Sequence, residues 1–297
     1  MVRRDLFRWL WVSFWLFLTA GFAYYASLHP MDFRVYHYGA RGVFDGTRPV
    51  YGPASGLGWP MHYRYPPLFL LVFAPFAALP LAVSAAAWVV LKMIILAALI
   101  RALIVRFHTN QPVAWFVTFC IAGPYVIQEL RYGNAQFFIF ALVAASFLMI
   151  DARPKLAAVL LALAICLKVW PLFFLPYLLI RGNKRAAGWA IVWTAVLTLL
   201  PAAYFGFDGN LRLIGEWARQ ESAVQLGTGE IWFPNQSLRG TLMRYLTLVD
   251  YSKVPDSNYS LVNVAAFNPA EILLVWMFLA GIFYLGLLAL TPRQQYF

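Results

Sequence analysis

The chain has 297 residues, of which 62% are hydrophobic, 18% aromatic and only 12% charged, against about a quarter charged in an ordinary soluble domain. Together with a mean hydropathy of +0.69, this excludes a soluble globule, a disordered chain and a disulfide scaffold, and leaves a helical integral membrane protein. Twenty-three Lys and Arg against twelve Asp and Glu give a net charge of +11; with no nucleic-acid motif present, that excess records membrane topology.

The first apolar run, 7–26, follows Arg3, Arg4 and Arg8 as a signal peptide would. It is long enough to span and no small-residue cleavage site closes it, so an uncleaved anchor with an inside N-terminus is expected. Next comes a dense polar segment, 27–65, and then Pro66 to Leu81, apolar but short and interrupted by Pro75 and Pro80. That stretch is expected to lie on the surface or re-enter, not to cross. Further apolar runs cover 83–105, 113–127, 135–150, 156–180, 186–205 and 272–290. The run 156–180 carries Lys168, Pro171 and Pro176 in its middle, which predicts two short half-crossings meeting near Lys168. Cys120 and Cys166 sit inside apolar runs and are expected to be packing residues.

The positive-inside rule tests this layout. With 66–81 not crossing and 156–180 crossing twice, one side collects Arg3, Arg4, Arg8, Arg101, Arg106, Arg153, Lys155, Arg181, Lys184, Arg185 and Arg293, against only Asp5 and Asp151. The expectation is an all-α membrane bundle of about eight crossings. Both termini lie in the cytoplasm, and two large extracytoplasmic loops (27–65 and 206–271) belong to one membrane domain. Loops of that length are usually working parts.

The motifs lie in those outer segments. The first loop reads Asp32-Phe33-Arg34-Val35-Tyr36-His37-Tyr38-Gly39-Ala40-Arg41, then Asp45-Gly46-Thr47-Arg48-Pro49-Val50-Tyr51, then Tyr65-Pro66-Pro67-Leu68-Phe69. Later come Gly133-Asn134-Ala135-Gln136, Lys168-Val169-Trp170-Pro171 and Asn235-Gln236-Ser237-Leu238-Arg239-Gly240. In this order, over some 240 residues, the elements resemble glycosyltransferase family 87, a polyprenyl-phosphate-mannose-dependent branch of the GT-C membrane glycosyltransferases. The resemblance implies a GT-C-like bundle in a bacterial plasma membrane and a metal-independent hexosyl transfer, of mannose or a related sugar, with inversion. It also implies a polyprenyl-phosphate sugar as donor substrate, no cofactor, and a glycolipid or glycan acceptor. Family members are longer and carry a late histidine segment; here no histidine follows His108, so the chain is expected to be a fragment, a truncated product or a divergent member.

The residue chemistry agrees. A lipid phosphate leaves without protonation, so the reaction needs one carboxylate to take the acceptor's proton and cations to hold the departing phosphate. Asp32, just beyond the first span, is the candidate general base; the competing reading is a helix cap. Asp45, followed by Gly46, reads better as a turn residue. Lys168, matched to the family's lysine, Lys92, Arg64 and Arg131 are candidate phosphate ligands, Lys92 being equally compatible with snorkelling to lipid headgroups. Arg34 and Arg41 share the bidentate geometry phosphate favours; most such arginines are expected to be structural. Candidate substrate-binding residues are Tyr36, Arg41, Tyr65, Asn134, Gln136, Asn235 and Gln236. For most of Tyr36, Tyr38, Tyr51, Trp59, Tyr63 and Tyr65, simple interfacial partition is the expected reason for their presence. His29, His37 and His62 match no standard metal spacing, and no metal is expected. Asn235-Gln-Ser237 and Asn258-Tyr-Ser260 match the N-glycosylation pattern, which matters only in a eukaryotic secretory setting. A lipid-linked-sugar transporter or flippase, and a noncatalytic membrane subunit, are the alternatives to an enzyme.

Overall fold

Proline and glycine punctuate the chain into helices whose lengths sort it into two kinds of segment. In the computed structural model, which describes residues 2–56, 62–107, 111–226, 235–248 and 262–290, the helices are α1 (Val2–Leu28), α2 (Phe33–Phe44), α3 (Pro67–Ala77), α4 (Leu81–Phe107), α5 (Pro112–Tyr132), α6 (Gln136–Met149), α7 (Pro154–Leu167), α8 (Phe174–Ile180), α9 (Lys184–Leu199), α10 (Ala202–Phe205), α11 (Phe207–Leu226), α12 (Leu238–Leu246) and α13 (Pro269–Leu290). A 3-10 turn at Trp170–Phe173 precedes α8. Among the described residues the only β feature is an isolated bridge between Thr247 and Phe267. The protein is an all-α integral membrane protein.

Among the described residues, five segments are long and apolar enough to cross a bilayer: Trp9–Leu28, Leu81–Phe107, Val113–Tyr132, Lys184–Phe205 and Pro269–Leu290. They coincide with five of the expected crossings. The other three fall on shorter helices, α6 and α7 with 14 residues each and the segment Trp170–Ile180; at 1.5 Å per residue the first two reach about 21 Å.

The expected break at Lys168 is present. Helix α7 ends at Leu167 and Lys168 is extended (φ −157°, ψ 128°); Pro171, three residues on, has no N–H with which to continue the α7 ladder. The chain then runs back. Lys155 lies over the Trp189 ring at the start of α7 and α9, and Cys166 meets Thr194 and Thr198 at their ends. Helices α7 and α9 are therefore parallel, and Trp170–Ile180 must return between them. Small residues let the two backbones approach, with Ala158, Ala162, Ala187 and Ala190 all buried, as interfaces between membrane helices require.

Helices α4 and α6 also run the same way: Trp88 packs on Phe138 at 4.3 Å, while at the far end Arg106 pairs with Asp151 at 3.7 Å. One end of the bundle thus holds Arg106, Asp151 and the basic turns, and the other end holds the polar motifs. Lipid-facing surface is plain on α13, where Phe278 and Phe283 are 67% and 71% exposed.

As expected, 66–81 holds only a short helix, and of the two readings given for it the surface-lying one is overturned: Leu68, Phe69, Leu70, Phe73 and Ala77 are buried in a core shared with α2, α4, α7 and α9. Five aromatic rings, Phe33, Tyr36, Phe69, Phe76 and Trp88, surround Phe73 at 5.3–6.0 Å, each such pair adding about 0.5–1.5 kcal/mol beyond its buried area. Eleven apolar residues cannot cross, but they can fill the space above shorter neighbours.

Candidate functional site

Helix α2 is amphipathic. Phe33, Tyr36, His37 and Ala40 are buried while Arg34, Tyr38 and Arg41 are exposed, the spacing of a helix lying on a core. Asp32 sits at its N-cap position with helical backbone angles and makes no side-chain cap bond, so its carboxylate is not spent on capping. Its backbone N–H donates to the carbonyl of Tyr132 at 3.0 Å, and its Oδ2 accepts from Asn134 Nδ2 at 3.4 Å. Both partners belong to the turn between α5 and α6.

Gly133 makes that turn possible. Its φ of 69° is left-handed, and a Cβ there would stand 2.7 Å from Phe33 Cβ, so glycine both ends α5 and admits α2 at contact distance. From α4, Trp88 Nε1 donates to the Gly133 carbonyl at 3.0 Å. Asn134 is the bridge. Its Oδ1 faces the hydroxyls of Tyr36 at 3.3 Å and Tyr65 at 3.4 Å, which lie 3.2 Å from each other, while its amide faces Asp32.

Above this group, Lys168 Nζ stands 5.3 Å from the centre of the Tyr65 ring. The Tyr65 carbonyl accepts from Tyr51 OH at 2.7 Å, and the Tyr65 ring stacks on Phe69 at 4.4 Å. Next along the chain, Arg64 grips Glu221 of α11 through Nη2 at 2.9 Å and Nε at 3.2 Å. The same helix holds the loop at two further points: Gln220 Nε2 donates to the Tyr63 carbonyl at 2.7 Å, and Gly52 N–H donates to Gln220 Oε1 at 2.9 Å.

The electrostatics follow from burial. Asp32 is half-buried, and its carboxyl is pushed above the ordinary carboxylate range, first by desolvation and then by the charge of Glu129, with Lys92 and Arg34 pulling the other way. Burial pushes Tyr36 and Tyr65 well above the usual phenol value; Tyr65 and Asp32 add to it at Tyr36, while at Tyr65 the hydrogen bond to Tyr36 pulls the other way and Glu129 and Asp32 add to it. Both remain neutral donors.

The structure brings together Asp32, Tyr36, Tyr65, Asn134 and Lys168, with Gln136 half-buried in the first turn of α6 and Arg64 one residue from Tyr65. Others stand elsewhere. Arg41 is exposed and pairs with Asp45 one turn on at 3.4 Å. Arg131 lies over the Tyr25 ring, which stacks on His29. Asn235 bonds within its own segment, accepting from the Ser237 N–H and, by its carbonyl, from Arg244, with Gln236 exposed beside it. His37 donates through Nε2 to the Leu79 carbonyl at 2.8 Å. Trp59 and the Asn258 sequon lie outside the described residues.

Two expectations change. Lys92 does not snorkel: its side chain is fully buried and its Nζ donates to the Glu129 carbonyl at 2.7 Å and to Glu129 Oε2 at 3.4 Å. Nor are the loop tyrosines interfacial, since Tyr36, Tyr51, Tyr63 and Tyr65 are each at most 5% exposed, and of the described group Tyr38 alone is exposed. Glu129 itself escapes the sequence reading, because it falls just past the apolar run that ends at residue 127. A signal for it exists: a lysine deep in a span requires a counter-charge, and Glu129 is the acidic residue nearest the Gly133-Asn134 motif.

A family model described as glycosyltransferase family 87 matches residues 63–296. Among curated proteins, the chain is similar to two described as polyprenol-phosphate-mannose-dependent alpha-(1-2)-phosphatidylinositol mannoside mannosyltransferase. One, from Mycobacterium tuberculosis, is 29% identical over 65% of this chain and 51% of its own length. The other, from Mycolicibacterium smegmatis, is 31% identical over 72% of this chain and 52% of its own. The chain thus spans about half the length of the curated relatives it matches. No solved structure matches.

Proposed function

The chain belongs to glycosyltransferase family 87, and from that premise we propose that it transfers a hexose, mannose in the first instance, from a polyprenyl-phosphate donor to a lipid or glycan acceptor at the extracytoplasmic face of a bacterial plasma membrane. The relatives' descriptions name phosphatidylinositol mannoside as acceptor, and that is the first acceptor to try. The observation that carries the reading is Asp32: a carboxylate free of capping duty, held by its backbone and by Asn134, whose amide oxygen also meets Tyr65, the tyrosine under Lys168.

In the proposed reaction Asp32 takes the proton of the acceptor hydroxyl while that oxygen attacks the anomeric carbon. The bond from that carbon to the phosphate oxygen breaks, the phosphate leaves with the electron pair, and the sugar inverts. Lys168 and Arg64 hold the departing phosphate, and Tyr36, Tyr65, Asn134 and Gln136 offer hydrogen bonds to sugar hydroxyls. Asn235, Gln236 and Arg41 are candidates for the acceptor side. No cofactor or metal takes part.

The test is Asp32→Asn in proteoliposomes supplied with labelled polyprenyl-phosphate mannose. Transfer is expected to be abolished with the folded protein intact; retention of most activity defeats the assignment. A counterflow measurement on the same vesicles separates consumption of the donor from its translocation, and donor binding without turnover by the unaltered chain would favour a noncatalytic subunit.

A further inference from the structure

The buried Lys92 and the half-buried Glu129 form an ion pair that the transfer reaction as written does not use. A fully buried ammonium is costly unless paired and hydrogen-bonded, and here it is both. The carboxylate of Glu129 does more than neutralise the lysine. Its Oε2 also accepts the backbone N–H of Phe137 at 3.1 Å, one of the first-turn donors of α6 that has no partner within the helix. Glu129 therefore ties the end of α5 to the start of α6. Between those two attachments lies the turn Tyr132-Gly133-Asn134, whose Tyr132 carbonyl and Asn134 amide are the two groups that grip Asp32. Lys92 and Trp88, one helical turn apart on α4, fasten the turn from the other side through the carbonyls of Glu129 and Gly133.

We propose that Glu129 is a positioning residue for the general base: pinned by Lys92 and by the Phe137 N–H, its carboxylate locks the α5–α6 turn onto Asp32. The proposal rests on Asp32 as the base, but its consequence for Asp32 can be read without any transfer. The charged and titratable groups around Asp32 are Arg34 and Tyr36 on α2, Tyr65 ahead of α3, Lys92 on α4 and Glu129 on α5. After burial itself, Glu129 is the largest influence holding Asp32 above the usual carboxylate range, and it outweighs Lys92. A like charge nearby disfavours ionisation, so its removal must favour it.

The experiment measures the rate at which a hydrophobic carbodiimide, which reacts with protonated carboxyls, labels Asp32 in the full chain as pH is varied, read by mass spectrometry. In Glu129→Gln the labelling midpoint moves toward acid, so that near the wild-type midpoint labelling drops several-fold; in Glu129→Asp, which keeps the charge, it stays near wild type. Should Glu129→Gln leave Lys92 unpaired and the fold lost, the neutral pair Lys92→Gln with Glu129→Gln carries the test. Its midpoint also moves toward acid, by less, because the stronger of two opposed charges has been removed with the weaker. A midpoint that stays or rises in these neutralised forms, or loss of folded protein in both, overturns the proposal. Because labelling needs no turnover, an active Asp32→Asn would defeat the function while leaving this result standing.

Discussion

Asn134 donates to the carboxylate of Asp32 across 3.4 Å, although 102 positions separate them in the chain. The same amide turns its oxygen to Tyr36 and Tyr65. One neutral side chain therefore connects the candidate base to two phenols that burial keeps protonated, and the Asp32 carboxyl titrates above its ordinary range for want of water.

A consequence for stability follows from that shift. A carboxyl whose folded pKa is raised contributes stability while protonated, below the unfolded value near 3.8, and loses it as pH rises through the folded value. Asp32→Asn, which cannot ionise, is expected to unfold at a higher temperature than wild type at neutral pH, with the gain vanishing below about pH 4. Thermal unfolding in detergent across that range checks both the sign and its disappearance.

Gly133→Ala is expected to be severely destabilising for two separable reasons. The left-handed backbone costs an ordinary residue about 1–2 kcal/mol, and the new Cβ would strike Phe33, adding about 1–3 kcal/mol of overpacking. Gly182→Ala is the internal control, since Gly182 has φ 87° with nothing within 4 Å. The melting temperature is expected to fall in both and markedly further in Gly133→Ala, and equal falls would show that α2 yields freely.

For Lys168 the expected loss is in handling of the donor. Charge-assisted hydrogen bonds are worth about 1.5–3 kcal/mol, so Lys168→Met is expected to lower kcat/KM for the polyprenyl-phosphate donor by about tenfold to a hundredfold. Lys168→Arg, which retains charge and the contact with the Tyr65 ring, is expected to recover part of it. Unchanged donor kinetics in the methionine variant would remove Lys168 from the phosphate site.

The Arg64–Glu221 pair separates stability from binding. Arg64 is 45% exposed, so breaking the pair is expected to cost under about 1 kcal/mol. Yet a donor phosphate must compete with Glu221 for the guanidinium. Glu221→Gln is therefore expected to lower the donor KM with kcat nearly constant, and Arg64→Ala to raise it. Steady-state kinetics of the two variants would show opposite movements.

The break at Lys168 is legible in the sequence because proline chemistry is local: Pro171 has no N–H with which to continue a helical ladder. The reversal of the chain within 156–180 is legible for the same reason, with the basic turns as a check. The burial of α3 is not, since eleven apolar residues look alike whether they face lipid or neighbouring helices. The tyrosines of the first loop mislead on similar grounds, because an aromatic at a membrane boundary has one composition and two possible destinations. Lys92 is visible as an anomaly, but its partner Glu129 lies just past the edge of the apolar run and 37 residues away.

Composition, hydropathy and charge asymmetry determined by themselves that this is a helical membrane protein with its polar motifs gathered outside the hydrocarbon, because the cost of burying charge and unpaired backbone in lipid acts on every segment independently. Which polar groups meet was decided only by the tertiary structure. Asp32, Lys92, Glu129 with Asn134, and Lys168 come from four separate stretches of chain, and hydrogen bonds, whose strength depends on a few tenths of an ångström, exist only once packing has set those stretches side by side.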